Sequence, residues 1–213
     1  MVLAIAACGP RLELALGGAE HVPGLVALAG PTPRSELVVA AVDLLLRGAG
    51  VERSAITAVA ASRGPGSFTG VRVGLATAQG LATALGIPAH GFSSLLAQAA
   101  RTDSPVCLAV QPARRGHVYA QAFTRRDGSL EPSEAPRIVT LASLAGSEFP
   151  VVAPAGVEIP DGTPRAPAPR TTAEALLMLL AGETAYDPAT LVPVYLEPPP
   201  TTPPTRTSPT GPR

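Results

Sequence analysis

Residues 62–74, Ser-Arg-Gly-Pro-Gly-Ser-Phe-Thr-Gly-Val-Arg-Val-Gly, constrain the fold more than any other stretch of this chain. They follow the apolar run 56–61, which reads as a buried strand, and precede an Ala-rich segment with helical patterning. A strand must therefore become a helix within a few residues. Two glycines flanking a proline set a tight backbone path, and Ser67 and Thr69 offer side-chain oxygens to cap the helix. Such a turn gathers N–H groups at one spot. Gly64, Pro65, Gly66, Ser67, Thr69 and Gly70 are thus either an anion or nucleotide loop or a rigid structural turn. The spacing fits no common phosphate loop, because a dinucleotide fingerprint needs glycine at Thr69 and a Walker loop ends Gly-Lys-Ser/Thr, whereas this chain contains no lysine. Nor is Ser67 in a nucleophile elbow, since Pro65 and Thr69 stand at its glycine positions.

Two helices flank this strand in the sequence. The first is predicted over 34–47, opened by Thr32-Pro33 and closed by Gly48-Ala49-Gly50. Glu36, Asp43 and Arg47 form one narrow polar stripe, and apolar residues wrap the rest. The second, over 70–85, buries Val71, Leu75, Ala78, Ala82 and Leu85 on one face and Gly70, Gly74, Thr77, Leu81 and Ala84 on a neighbouring one. A glycine inside a helix costs about 1 kcal/mol relative to alanine, so Gly74 and Gly80 imply that another backbone approaches closely. Either this chain covers both faces itself, or a second molecule does. The sequence offers few other helices, which favours an intermolecular surface made of Leu37, Val38, Ala41, Leu44, Leu45, Gly70, Val73, Gly74, Thr77, Leu81 and Ala84.

The remaining pattern is α/β. Strands are predicted at 2–6, 11–16 and 25–28, after the turn 86–88, and at 105–110, 117–123, 138–140 and 151–152. Helices are predicted over 93–101 and 172–181. The organisation is a first unit over 1–103, a second over 104–196 and a disordered Pro/Thr-rich tail over 197–213. Over 213 residues, 46% hydrophobic content suffices for a real core. Zero net charge gives no footprint for tight autonomous nucleic-acid binding. No apolar run approaches the ~20 residues of a membrane span. Ile5-Ala6-Ala7-Cys8 mimics a lipoprotein cleavage site without the segments that should precede one, so it reads as the first strand. Cys8 and Cys107 read as inert thiols in a reducing cytoplasm. His21, His90 and His117 lack metal-ligand spacing, and Arg114 and Arg115 read as solvated turn residues.

The run Arg63–Gly74, with Ala78-Gln79-Gly80-Leu81-Ala82 downstream, resembles the signature of the bacterial tRNA threonylcarbamoyladenosine biosynthesis protein family TsaB (YeaZ). Weaker similarity extends from the first strand to Pro193-Val194-Tyr195-Leu196. The resemblance implies an actin/Hsp70-like fold of two related α/β subdomains with mixed sheets. It also implies a cytoplasmic, non-catalytic subunit of a tRNA-modifying complex, without cofactor or metal. Its implied partners are the paralogous transferase TsaD, the small ATPase TsaE and a second copy of itself, all but the ATPase through the helices above, with tRNA met only through the complex. The alternative is a metabolite kinase or ATPase of the actin-like class. Such enzymes organise a metal–nucleotide complex with carboxylates at two strand ends, where this chain has Ala6-Ala7-Cys8 and Gln111-Pro112-Ala113.

Overall fold

The structure, a computed structural model, describes residues 1–197 apart from 31, 33 and 183–186. Of the tail expected over 197–213, everything from Pro198 on lies outside the described residues, as does Pro33 of the first helix's start signal.

The first sheet holds β1 (Val2–Ala6), β2 (Leu12–Gly17), β3 (Gly24–Leu28), β4 (Ala58–Ser62) and β5 (Ala89–Phe92) in the order β3-β2-β1-β4-β5. The first three form an antiparallel meander, while β4 and β5 run parallel to β1. Alternation along each strand sorts side chains by size. Leu3, Ile5, Leu12, Leu14, Leu16 and Val59 point to one face, where α1 (Arg34–Ala49) and α2 (Phe68–Leu85) pack. Ala4, Ala6, Ala15, Ala58 and Ala60 point to the other, and this shallow floor lets α4 (Thr172–Ala181) lay Leu176, Leu177 and Leu180 directly on the sheet. Each of those leucines is at most 1% exposed, and burying one contributes roughly 1.5–3 kcal/mol. The capping box of Thr171 and Glu174 fixes where α4 starts, as the sequence predicts.

Short α3 (Ser94–Ala99) leads to the second sheet, composed of β6 (Val106–Pro112), β7 (His117–Arg126), β8 (Ser129–Pro132), β9 (Arg137–Thr140) and β10 (Val151–Val152). Its order is β10-β6-β7-β8, and β9 pairs with the other half of β7. Only β10 runs parallel to its neighbour. Two mixed sheets with this arrangement constitute the actin-like fold.

Buried polar groups tie the sheets together. Arg101, expected as the last residue of a longer helix, turns inward after α3 and donates to Gln98 Oε1, Ala153 O and Arg170 O, each at 2.8 Å. Glu13 Oε2 on β2 accepts the Thr172 N–H at 2.7 Å. Both charged groups are over nine-tenths buried, and removing one partner from such a set is far costlier than its net contribution suggests.

Candidate functional site

The turn predicted between β4 and α2 is wired into the chain on every side. Gly64 has φ +98°, and a side chain there would meet Val194 O at 2.4 Å; Gly66 has φ +154°, and a side chain there would meet Cys8 O at 2.4 Å. Only glycine fits these two positions. Gly64 N–H donates to Ser94 Oγ at 3.1 Å, Ser67 N–H to Cys8 O at 2.9 Å, and Gly70 N–H to the capping Ser67 Oγ at 3.2 Å. Val194 N–H in turn donates to Arg63 O at 2.8 Å. Donors that an anion would need at Gly64, Ser67 and Gly70 are therefore already engaged, and the motif binds four pieces of backbone into one junction. Thr69 lies exposed beside it, and the Gly64–Pro65 bond is cis.

The junction forms one wall of a cleft of ≈ 690 Å³ between the sheets, a size suited to a small ligand. Cys8, Gly9, Pro10 and Arg34 line it from the first half, Pro112, Ala113, Arg114 and Tyr119 from the second, and Tyr195 and Glu197 from the C-terminal segment. At the strand ends beneath it stand Ala6 and Gln111. Cys8 Sγ accepts from Ser62 Oγ at 3.1 Å, and burial pushes the thiol above its ordinary range despite that bond. Burial thus favours the protonated thiol over the thiolate.

Two cleft residues, Glu197 and Arg114, depart from the sequence reading. Glu197, assigned by composition to the tail, has its side chain 19% exposed and its Oε1 3.1 Å from Arg114 Nη1. Tyr119 OH donates to Glu197 Oε2 at 3.1 Å. Arg114 is thus paired rather than merely solvated. Burial, then the adjacent carboxylate, raise the Tyr119 phenol above its ordinary range, so it stays a donor. No local signal marks this contact, because 78 residues separate tyrosine from glutamate. Nearby, Arg72 stacks over the Phe68 ring at 4.0 Å and its Nε donates to Tyr195 OH at 3.3 Å.

A second concavity, an apolar groove of ≈ 550 Å³, runs between α1 and α2. Val39, Val42, Leu46, Ile56, Thr77, Gly80, Leu81, Ala84 and Leu85 line it, with Asp43 and Arg53 at the rim. The residues expected at an intermolecular surface divide here. Leu44 and Ala84 are exposed, and Leu37, Val73, Thr77 and Leu81 are half-buried. Val38, Ala41, Leu45, Gly70 and Gly74 are buried within this chain, and that part of the expectation is corrected. The first three pack on the sheet. A side chain at Gly70 would meet Ala7 O at 2.1 Å, and one at Gly74 would meet Ala7 Cβ at 3.2 Å, so the close neighbour expected at Gly74 and Gly80 is, at Gly74, the chain's own β1 end. Gly80 has nothing within 4 Å of such a side chain.

Among the described residues no three His, Cys, Asp or Glu lie close enough to hold a metal, and no helix is long and apolar enough to cross a membrane. His90 packs on Phe92 at 4.6 Å and its Nδ1 accepts the Asp187 N–H at 3.3 Å.

Residues 33–186 match the family described as TsaD, tRNA N6-adenosine threonylcarbamoyltransferase. The Escherichia coli K12 tRNA threonylcarbamoyladenosine biosynthesis protein TsaB is 35% identical over 104 residues, which is 47% of this chain and 45% of that protein. The Bacillus subtilis protein of the same name is 37% identical over 93 residues, 43% of this chain and 41% of its own length. The matched segment thus spans less than half of these curated relatives. Among solved structures, YeaZ from Pseudomonas aeruginosa superposes with a TM-score of 0.73 at 26% identity, covering 92% of this chain and 99% of that one.

Proposed function

Since the chain belongs to the TsaB/YeaZ proteins within the tRNA N6-adenosine threonylcarbamoyltransferase family, we propose that it is a non-catalytic cytoplasmic subunit required for making threonylcarbamoyladenosine beside the anticodon of tRNA. It acts by binding the paralogous transferase TsaD and the ATPase TsaE, and it pairs with itself when they are absent. The observation that carries this reading is the groove between α1 and α2. Val39 at its edge is 67% exposed and Leu44 on the same helix 59%, and an apolar concavity rimmed by charged Asp43 and Arg53 suits a partner better than water. Within this reading residues 1–103 carry the surface, residues 104–196 complete the fold, and tRNA is met through the complex.

The cleft supports a non-catalytic role by its chemistry. Phosphoryl transfer relies on carboxylates that hold magnesium and on a lysine or arginine clamp at the phosphates. Here the strand ends carry Ala6-Ala7-Cys8 and Gln111-Pro112-Ala113, so no carboxylate stands at either end to hold magnesium, although Arg34 and Arg114 line the cleft.

The test is a calorimetric titration of TsaD into the unaltered chain and into Gly80→Glu. A glutamate at Gly80 enters open space, so the fold persists while a charge sits in the apolar groove, and affinity should fall at least about tenfold, equivalent to ~1.4 kcal/mol. Equal affinities would overturn the groove as the partner surface.

A further inference from the structure

Glu197 shows what the cleft between the sheets is built to hold. Its carboxylate is gripped as an oxyanion ligand is gripped, one oxygen by a guanidinium and the other by a phenol, both at 3.1 Å. The grip comes from β7 and the turn before it, whereas Glu197 arrives on the C-terminal segment. That segment is pinned just upstream, where the Tyr195 ring packs on Phe68 at 5.0 Å. Charge around the cleft is asymmetric. Two cations, Arg34 and Arg114, face the single acid Glu197 among the described lining residues. Arg34 donates through Nη2 to Gly9 O, and its buried Nε has no partner among the described residues. The cleft is also far larger than one carboxylate, at ≈ 690 Å³.

We propose that this cleft is a receptor for the oxyanion group, phosphate or carboxylate, of a small ligand, and that Glu197 is its internal competitor. Arg114 and Tyr119 bind the oxyanion once Glu197 withdraws, Arg34 adds the second positive charge, and the Phe68–Tyr195 pair offers an apolar wall for the rest of the ligand. Withdrawal begins on the Arg114 side, whose side chain is 65% exposed against 19% for Glu197, since an ion pair that opens to water is weakened there. A ligand that enters therefore frees Glu197, and cleft occupancy is coupled to the position of that residue. Reciprocity follows: whatever holds Glu197 away from the cleft raises affinity for the oxyanion by the same factor. The inference does not depend on the partner proposed for the groove, since the two concavities share no residue.

The test uses the full chain, with pyrophosphate and citrate as phosphate and carboxylate probes, measured by calorimetry. Glu197→Gln keeps the side chain's shape and removes its charge, so it should bind at least one probe about tenfold more tightly than the unaltered chain, a difference of ~1.4 kcal/mol. Preference for one probe identifies the oxyanion source. Adding Arg114→Met to Glu197→Gln should abolish the gain. Arg126→Met, at an arginine outside the cleft whose side chain is 70% exposed, should leave the gain intact. Glu197→Ala repeats the experiment with a different replacement, and circular dichroism confirms the fold of each variant. Equal affinity of the Glu197 variants and the unaltered chain for both probes would overturn the competitor. Binding too weak to detect at ~10 mM in both Glu197 variants would overturn the site.

Discussion

Gly70 and Gly74 in the first two turns of α2 and Gly80 farther along read alike in the sequence, as small residues on a helix that needs room. In the folded chain they face different neighbours. The first two sit against Ala7, so close that β1 and α2 touch almost backbone to backbone, while Gly80 opens onto the apolar groove with nothing within 4 Å of an added side chain. One end of the helix is committed to the protein's own core, and the other to its surface. Helical periodicity reports that a face is apolar or small, but what covers that face is decided by the connections of the sheet.

Three substitutions sharpen or break this contrast. The largest effect belongs to Gly70→Ala, whose methyl would sit 2.1 Å from Ala7 O. Backbone cannot yield as a flexible side chain does, so the cost is about 3 kcal/mol, a fall of roughly 6–12 °C in melting temperature for a chain of this size. Calorimetric melting checks it, and an unchanged transition would mean that β1 and α2 are not in close contact. Gly74→Leu comes next. It pushes a branched side chain against Ala7 and Ile5 and should lower stability by about 2 kcal/mol, or roughly 4–8 °C. A variant that melts normally but loses self-association would restore Gly74 to the intermolecular surface. Smallest, and opposite in sign, is Gly80→Ala, which should raise stability by about 0.5–1 kcal/mol because alanine loses less conformational freedom in a helix. The melting temperature should rise by roughly 1–4 °C, and a decrease would show that Gly80 is packed after all.

Local signals carried much of the fold. The Gly-Pro-Gly-Ser turn appeared where it was expected, because φ-restricted residues and a capping serine act within a few positions. The limits of α4 were legible for the same reason, since Thr171 and Glu174 form a reciprocal cap. Edge strand β8 was missed, as Ser129–Pro132 is only four residues long and its Ser, Glu and Pro do not favour a strand by composition. The cleft was less legible than the groove. Its grip on Glu197 joins residues far apart in sequence, and an arginine on a turn looks the same in one dimension whether it faces a carboxylate or water. Val38, Ala41 and Leu45 were assigned to a partner because nothing in a helical wheel distinguishes a sheet from another molecule.

The return of α4 to the first sheet has a consequence for how the protein is made. All five strands of that sheet have been translated by Phe92, yet the helix that covers its alanine-lined face is finished only at Ala181. At ~5–20 residues per second, a nascent chain spends roughly 5–20 s with the sheet complete in sequence and one side uncovered. During that interval the bare face is a target for chaperones and for neighbouring nascent chains. Because most of its side chains are alanines rather than leucines, with Phe92 the large exception, it presents little sticky surface while it waits.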